Sequence, residues 1–211
     1  MRKSKLSRPP LSEHPAQPLL IVISGPSGVG KDAILSHLKK ADLSLQFITT
    51  VTTRPPRVGE RDKIDYHFVS QESFRKMIDN GELLEWAKVY GNWYGVPKSP
   101  IKEALEKGRD AVVKVDVQGA ATIKQKVPEA VFIFIAPPSL DELIRRLGQR
   151  DTESPSDMTL RLKTAQKEMD QLPLFDYVVV NRQDEIDRAV TEVRSIITAE
   201  KCRVNPRKTV L

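Results

Sequence analysis

The sequence predicts an α/β fold in which a parallel sheet is flanked by helices. Three observations carry that prediction. Residues 19–24 (LLIVIS) form a continuous apolar run, β-branched in part and ended by Gly25-Pro26, which reads as a strand buried on both faces. Strand and helix patterns then alternate along the chain, the arrangement that builds a parallel sheet. A glycine-rich segment with one lysine joins the first strand to the first helix.

The elements follow in order. Residues 32–40 read as the first helix, with Ala33, Ile34, Leu35 and Leu38 on its apolar side. Residues 47–53 are the second strand, 111–115 the third, 131–136 the fourth and 177–180 the fifth. Helical patterns occupy 98–107, 117–126, 139–149, 157–171 and 184–200. Residues 54–97 break the rhythm. They are rich in Arg, Tyr, Gly and Pro, with short β-like pieces at 66–69 and 84–90 around a short helix, and read as an insert with its own small sheet. Residues 150–158 (RDTESPSDM) are polar, contain Pro155, and read as a mobile surface loop.

The 211 residues are 39% hydrophobic and 29% charged, enough for one domain with a sizeable core and a small insert. That composition excludes a collagen, a disulfide scaffold and a wholly disordered chain. No apolar run approaches the length that spans a bilayer, so no membrane role is expected. The single cysteine, Cys202, excludes an internal disulfide and a cysteine-based zinc site, and fits the reducing cytoplasm. The net charge of +6 sits at the ends. Arg2, Lys3, Lys5 and Arg8 oppose Glu13 in a proline-rich tail, 1–18, and Lys201, Arg203, Arg207 and Lys208 fill 201–211. Such ends can touch a polyanion. Solvated, disordered ends are the favoured reading, and no specific nucleic acid is expected.

Gly25-Pro26-Ser27-Gly28-Val29-Gly30-Lys31-Asp32 matches G-x-x-x-x-G-K between a buried strand and a helix, the context that makes it a P-loop. Its glycines let successive N–H groups curl around a phosphate chain, and the helix adds the positive end of its dipole. Lys31 supplies a point charge for the β- and γ-phosphates. The motif ordinarily continues with Ser or Thr, a hydroxyl ligand to Mg²⁺; here it is Asp32. A carboxylate can hold Mg²⁺ directly or through water, but it brings a negative charge close to triphosphate.

The insert indicates the acceptor. Arg54 and Arg57 stand three apart, stiffened by Pro55 and Pro56, and rigid guanidinium pairs suit a phosphate dianion. Phenol hydroxyls from Tyr66 and Tyr94 can donate to the same phosphate. A carboxylate such as Glu85 can accept both N1–H and the exocyclic amine of guanine, an edge adenine lacks.

Seven motifs in order (ISGPSGVGK, TTRPPRVGE, DYHF, GELLEW, GNWYG, DVQGA and IFIAPPS) make residues 19–200 resemble the guanylate kinases, enzymes that phosphorylate GMP with ATP. The resemblance implies a P-loop NTPase core (19–53 and 98–200), a GMP-binding insert at 54–97 and an arginine-bearing helical lid at about 140–165. It implies that Thr50, Arg54, Arg57, Tyr66 and Tyr94 hold the GMP phosphate, and that Glu85 reads guanine with help from Asp116. It implies that Arg146, Arg150 and Arg161 close on ATP and the transferring phosphoryl, and that Asn181 lies near the adenine. Mg²⁺ accompanies ATP. The chemistry is mostly positioning and charge neutralisation, so Lys31, Arg54 and the lid arginines are the expected catalytic set.

Three positions depart from the family pattern: Asp32, Lys114 where an acid is usual, and Val96 where a small hydroxyl residue is usual. The first two can be one exchange of charge, because adjacent parallel strands can bring Lys114 to Asp32. The alternative is a chain that has stopped catalysing, a kinase-like module that binds nucleotide or protein. The intact P-loop glycines, Lys31 and the lid arginines favour the enzyme.

Overall fold

A computed structural model describes residues 17–89, 91–148 and 163–211. The apolar run at 19–24 becomes β1 (Leu20–Ser24), every residue of it buried. It lies in a five-stranded sheet with β2 (Gln46–Phe47), β7 (Ala111–Lys114), β8 (Val131–Ala136) and β9 (Tyr177–Val180), in the order β2-β7-β1-β8-β9 and parallel throughout. Alternation along β1 divides the core. Leu19, Ile21 and Ile23 pack under α1 (Lys31–Ala41), α5 (Leu140–Gly148) and α7 (Ile186–Lys201). Leu20 and Val22 pack under α3 (Lys98–Glu106) and α4 (Val117–Lys126). Each such fully buried aliphatic side chain contributes roughly 1.5–3 kcal/mol relative to exposure.

Between β2 and α3 a second sheet forms, in the order β4-β3-β6-β5. It comprises β3 (Val51–Thr52), β4 (His67–Phe68), β5 (Leu83–Val89) and β6 (Asn92–Pro97), with α2 (Gln71–Asp79) laid against it through Phe74. Ser70 caps α2 by accepting the N–H of Ser73. The expected single strand at 47–53 is two. Ile48 still donates its N–H to Val112 in the first sheet, whereas the Thr50 carbonyl accepts from His67 in the second, so the chain changes sheets at 48–50. The sequence pattern also did not reveal β6, the antiparallel neighbour that covers the inner side of the edge strand β5. The helix expected over 157–171 is present as α6 at 163–169, and its first part and the loop expected at 150–158 lie outside the described residues. A single 3₁₀ turn, Leu172–Leu174, links α6 to β9.

The C-terminal segment is solvated over most of its length, as expected, but it is also anchored: Arg207 forks onto Glu200 at 2.9 and 3.0 Å and donates to the Ala130 carbonyl, while Leu211 packs against the core. Tyr177 donates to the same Glu200 carboxylate, whose side chain is fully buried. Lys201 pairs with the buried Asp110 at 2.7 Å. No described helix is long and apolar enough to cross a membrane. Of the N-terminal tail, residues 1–16 lie outside the described residues.

Candidate active site

The turn after β1, Asp116 after β7 and Asn181 after β9 all stand at the carboxyl edge of the parallel sheet, where an open α/β sheet offers its crevice. Gly25, Gly28 and Gly30 have positive φ. Gly30 precedes α1 with φ 96°, and a Cβ there would fall 2.5 Å from Asn181 Nδ2, so only glycine fits. Asn181 is held this close because it donates to the Val29 carbonyl at 2.7 Å. The Val29 side chain is fully buried, so this residue can offer a ligand only its backbone. Lys31 Nζ donates to the carbonyls of Gly25 (2.6 Å) and Pro26 (3.0 Å), folding back over the turn. Burial lowers its ammonium to about 8, opposed by the charges of Glu168 and Asp32.

Two carboxylates attend this loop. Asp32, in the first turn of α1, receives Lys114 Nζ at 2.6 Å, so the exchange of charge read from the sequence is a contact. Parallel pairing makes it possible, because Ile23 lies beside Lys114 in the register of β1 and β7. Glu168, from α6, was not foreseen. Its Oε2 accepts the N–H of Ser27 at 3.3 Å, an anion set against a P-loop donor. Nothing local in the sequence marks it, since the contact spans 141 positions.

On the insert, Arg54 Nη1 and Nη2 fork onto Glu60 at 2.8 Å each, and this bond holds the guanidinium well above its ordinary range. The Arg54 carbon lies 5.2 Å over the Tyr66 ring, and Tyr66 meets Tyr94 edge to face at 6.0 Å. Tyr94 also interacts electrostatically with Arg54. Thr50 Oγ1 donates weakly to the Lys114 carbonyl at 3.4 Å. Arg54, Tyr66, Tyr94 and Thr50 are thus together. Arg57 is exposed, and its N–H donates at 2.7 Å to Glu60, the same carboxylate that holds Arg54. Glu60 organises both arginines and was missed, although it closes the TTRPPRVGE motif.

Glu85, on β5, is only 3% exposed, and its Oε2 has no hydrogen-bond partner. Its cross-strand neighbour is Val96, buried and unable to donate, which is what the third departure from the family pattern does. From α4, Gly119 gives the carboxylate room: a Cβ there would lie 3.0 Å from Glu85 Oε2. Asp116 caps α4 by accepting the Gly119 N–H at 2.7 Å. Burial, then repulsion from Asp116, push Glu85 up to about 8, with Lys126 opposing. Asp116 acts electrostatically on Lys31 as well, so it is a charged neighbour of both the P-loop lysine and the buried acid.

Of the lid arginines, Arg146 on α5 donates to Glu142 (2.7 Å), the Asn181 carbonyl (3.0 Å) and the Val29 carbonyl (3.4 Å), which anchors it behind the P-loop. Arg150 and Arg161 lie outside the described residues.

The family model of guanylate kinase matches residues 17–200. The chain belongs to the guanylate kinase family. A guanylate kinase of Caldanaerobacter subterraneus subsp. tengcongensis is 48% identical over 192 residues, 91% of this chain and 92% of its own. The guanylate kinase 2, chloroplastic/mitochondrial, of Oryza sativa subsp. japonica is 46% identical over 92% of this chain and 68% of its own. A crystal structure of guanylate kinase from Anaplasma phagocytophilum shares the fold with a TM-score of 0.74 at 33% identity, over 92% of this chain and 91% of that one. The α/β P-loop fold expected from the sequence is therefore the fold of a guanylate kinase, and the chain is a transferase of that kind.

Proposed function

We propose that the chain transfers the γ-phosphoryl of ATP to GMP, giving ADP and GDP. The observation that carries this reading is the buried carboxylate of Glu85, whose Oε2 has no hydrogen-bond partner, near the same Asp116 that acts on the P-loop Lys31. Such a group is costly unless a ligand satisfies it. Guanine does so with two donors on one edge, which adenine cannot.

In this reading the N–H groups of residues 25–30 and Lys31 cradle the ATP phosphates, with Asn181 behind the loop beside the adenine. Thr50, Arg54, Arg57, Tyr66 and Tyr94 hold the GMP phosphate, which requires Arg54 to share its guanidinium between phosphate and Glu60. A GMP phosphate oxygen forms the new bond to phosphorus while the bond to the β-phosphate oxygen breaks, and ADP carries away the electron pair. The guanidinium groups neutralise the transferring charge. Insert and lid, at 54–97 and about 140–165, close to exclude water, and Arg146, Arg150 and Arg161 come from that lid.

Mg²⁺ belongs to the same reading. Among the described residues no group of three or more His, Cys, Asp or Glu could hold a metal by itself, but Mg²⁺ travels with triphosphate and needs only one or two protein carboxylates. Asp32 fits that need: its side chain is 82% exposed at the start of α1. Bound there, directly or through water, the ion would neutralise charge on the phosphates. A cytoplasmic location accompanies the reading, as the free cysteine suggests.

The test is a coupled assay for ADP with ATP, Mg²⁺ and each of GMP, AMP, UMP and CMP. Turnover with GMP at least a hundredfold above the others is expected. Equal rates with AMP would remove Glu85 as the reader of the base.

A further inference from the structure

Lys114 meets more than Asp32. Its ammonium also donates to the Tyr66 hydroxyl at 2.9 Å and lies 4.6 Å from the centre of that ring. Its backbone carbonyl accepts from Thr50. One residue at the end of β7 therefore contacts the first turn of the P-loop helix, Tyr66 of the insert, and Thr50 where the chain changes sheets. Tyr66 in turn supports Arg54 and Tyr94 by ring contacts. The side chain is mostly buried between these partners. Burial alone would lower its ammonium, but the Asp32 charge and the two hydrogen bonds raise it, so it stays a cation.

We infer that Lys114 is a positioning residue that ties the donor pocket to the acceptor pocket: one ammonium neutralises the P-loop acid and fixes the acceptor-site tyrosine at the same time. This rests on the reading of the cleft as the ATP and GMP site. Two consequences follow from its two bonds. Towards ATP, Lys114 cancels the charge that Asp32 would otherwise set against triphosphate. Towards GMP, it fixes the Tyr66 hydroxyl, and with it the aromatic face on which the Arg54 guanidinium rests. An acid at position 114 would not neutralise Asp32, because two carboxylates would then face each other.

The two bonds separate in a binding experiment. The affinities of GMP and of the imido analogue of ATP with Mg²⁺ are measured calorimetrically for the wild type, Lys114→Met, Tyr66→Phe and the double variants Lys114→Met/Asp32→Ser and Lys114→Met/Tyr66→Phe. A lost charge-assisted hydrogen bond corresponds to roughly tenfold in affinity. Lys114→Met is expected to weaken both ligands by about that factor. Adding Asp32→Ser should restore the ATP analogue to within about twofold and leave GMP weak, because the Tyr66 bond is still missing. Tyr66→Phe should weaken GMP alone, and Lys114→Met should cost no further GMP affinity in its presence. A merely structural lysine would weaken both ligands without this pattern of rescue. Lys114→Arg keeps the charge and serves if the methionine variant melts early; it should retain both affinities, and loss of both in a stable Lys114→Arg protein overturns the inference. Weakening of the ATP analogue alone, or additive losses in the Lys114/Tyr66 pair, overturns it while leaving the kinase reading intact. A wild type that binds no GMP overturns both.

Discussion

Replacing Glu85 with Gln should weaken GMP binding and stabilise the free protein, two effects of opposite sign from one nearly isosteric change. The stability effect follows from burial. An acid pushed up to about 8 from its ordinary 4.5 is protonated in both folded and unfolded chains below about pH 4.5. Above that pH the unfolded chain ionises while the folded chain must keep its proton, so stability is lost steadily until the folded group also ionises near 8. At pH 7 the loss is about 3 kcal/mol. A glutamine carries no such penalty, and its amide fills the same space between Gly119 and Val96. A gain of that size raises the melting temperature by about 6–12 °C in a chain this long. The binding effect follows from donors. The amide introduced by Glu85→Gln would turn one N–H against guanine's own N–H groups, and such a mismatch costs about 1–3 kcal/mol, or roughly 5- to 150-fold. Calorimetry of GMP binding and a thermal melt on the same sample read both. GMP binding at the parent affinity, or a melting temperature that falls, would refute the reasoning.

The same group makes GMP binding depend on pH: its carboxylate form is the one that accepts both donors, so affinity should rise about tenfold per unit from pH 6 to 7 and level above about 8, with close to one proton released on binding at pH 7. Proton release is read by calorimetry in buffers of different ionisation enthalpy; a flat profile contradicts it. Glu60→Gln loosens the fork that orients Arg54 and weakens the hold on the N–H of Arg57, so steady-state kinetics should show a several-fold higher KM for GMP together with a lower kcat. Arg207→Ala leaves Glu200 buried with Tyr177 and with Arg203 at 3.7 Å, and should cost about 3 kcal/mol in denaturant unfolding without altering KM for either nucleotide.

Much of the site was legible because its physics is local or set by strand order. The P-loop is a run of glycines and one lysine between a buried strand and a helix, and each of those features can be read in place. The Lys114–Asp32 contact was legible because two parallel strands fix which residues stand side by side at their ends. The unforeseen parts depend on distant partners. Residues 46–52 have the same β-propensity throughout, and only pairing with Val112 on one side and His67 on the other divides them between two sheets. Glu168 looks like any acid on a helix until the fold sets it against Ser27. Arg207 looks like a tail cation until Glu200 and Asp176 converge on it. Glu85 could be named as a base reader from its chemistry. Its lack of a partner could not, since that requires knowing that Val96 is its cross-strand neighbour.

The central claim is direct transfer of one phosphoryl group between two nucleotides held in one cleft. ATP labelled in its γ-phosphate, mixed with GMP, Mg²⁺ and the full chain, tests it. The account predicts label appearing in the β-phosphate of GDP, one for each ADP formed, with little in inorganic phosphate. Label released mainly to inorganic phosphate, or GMP bound with no ADP formed, would contradict it.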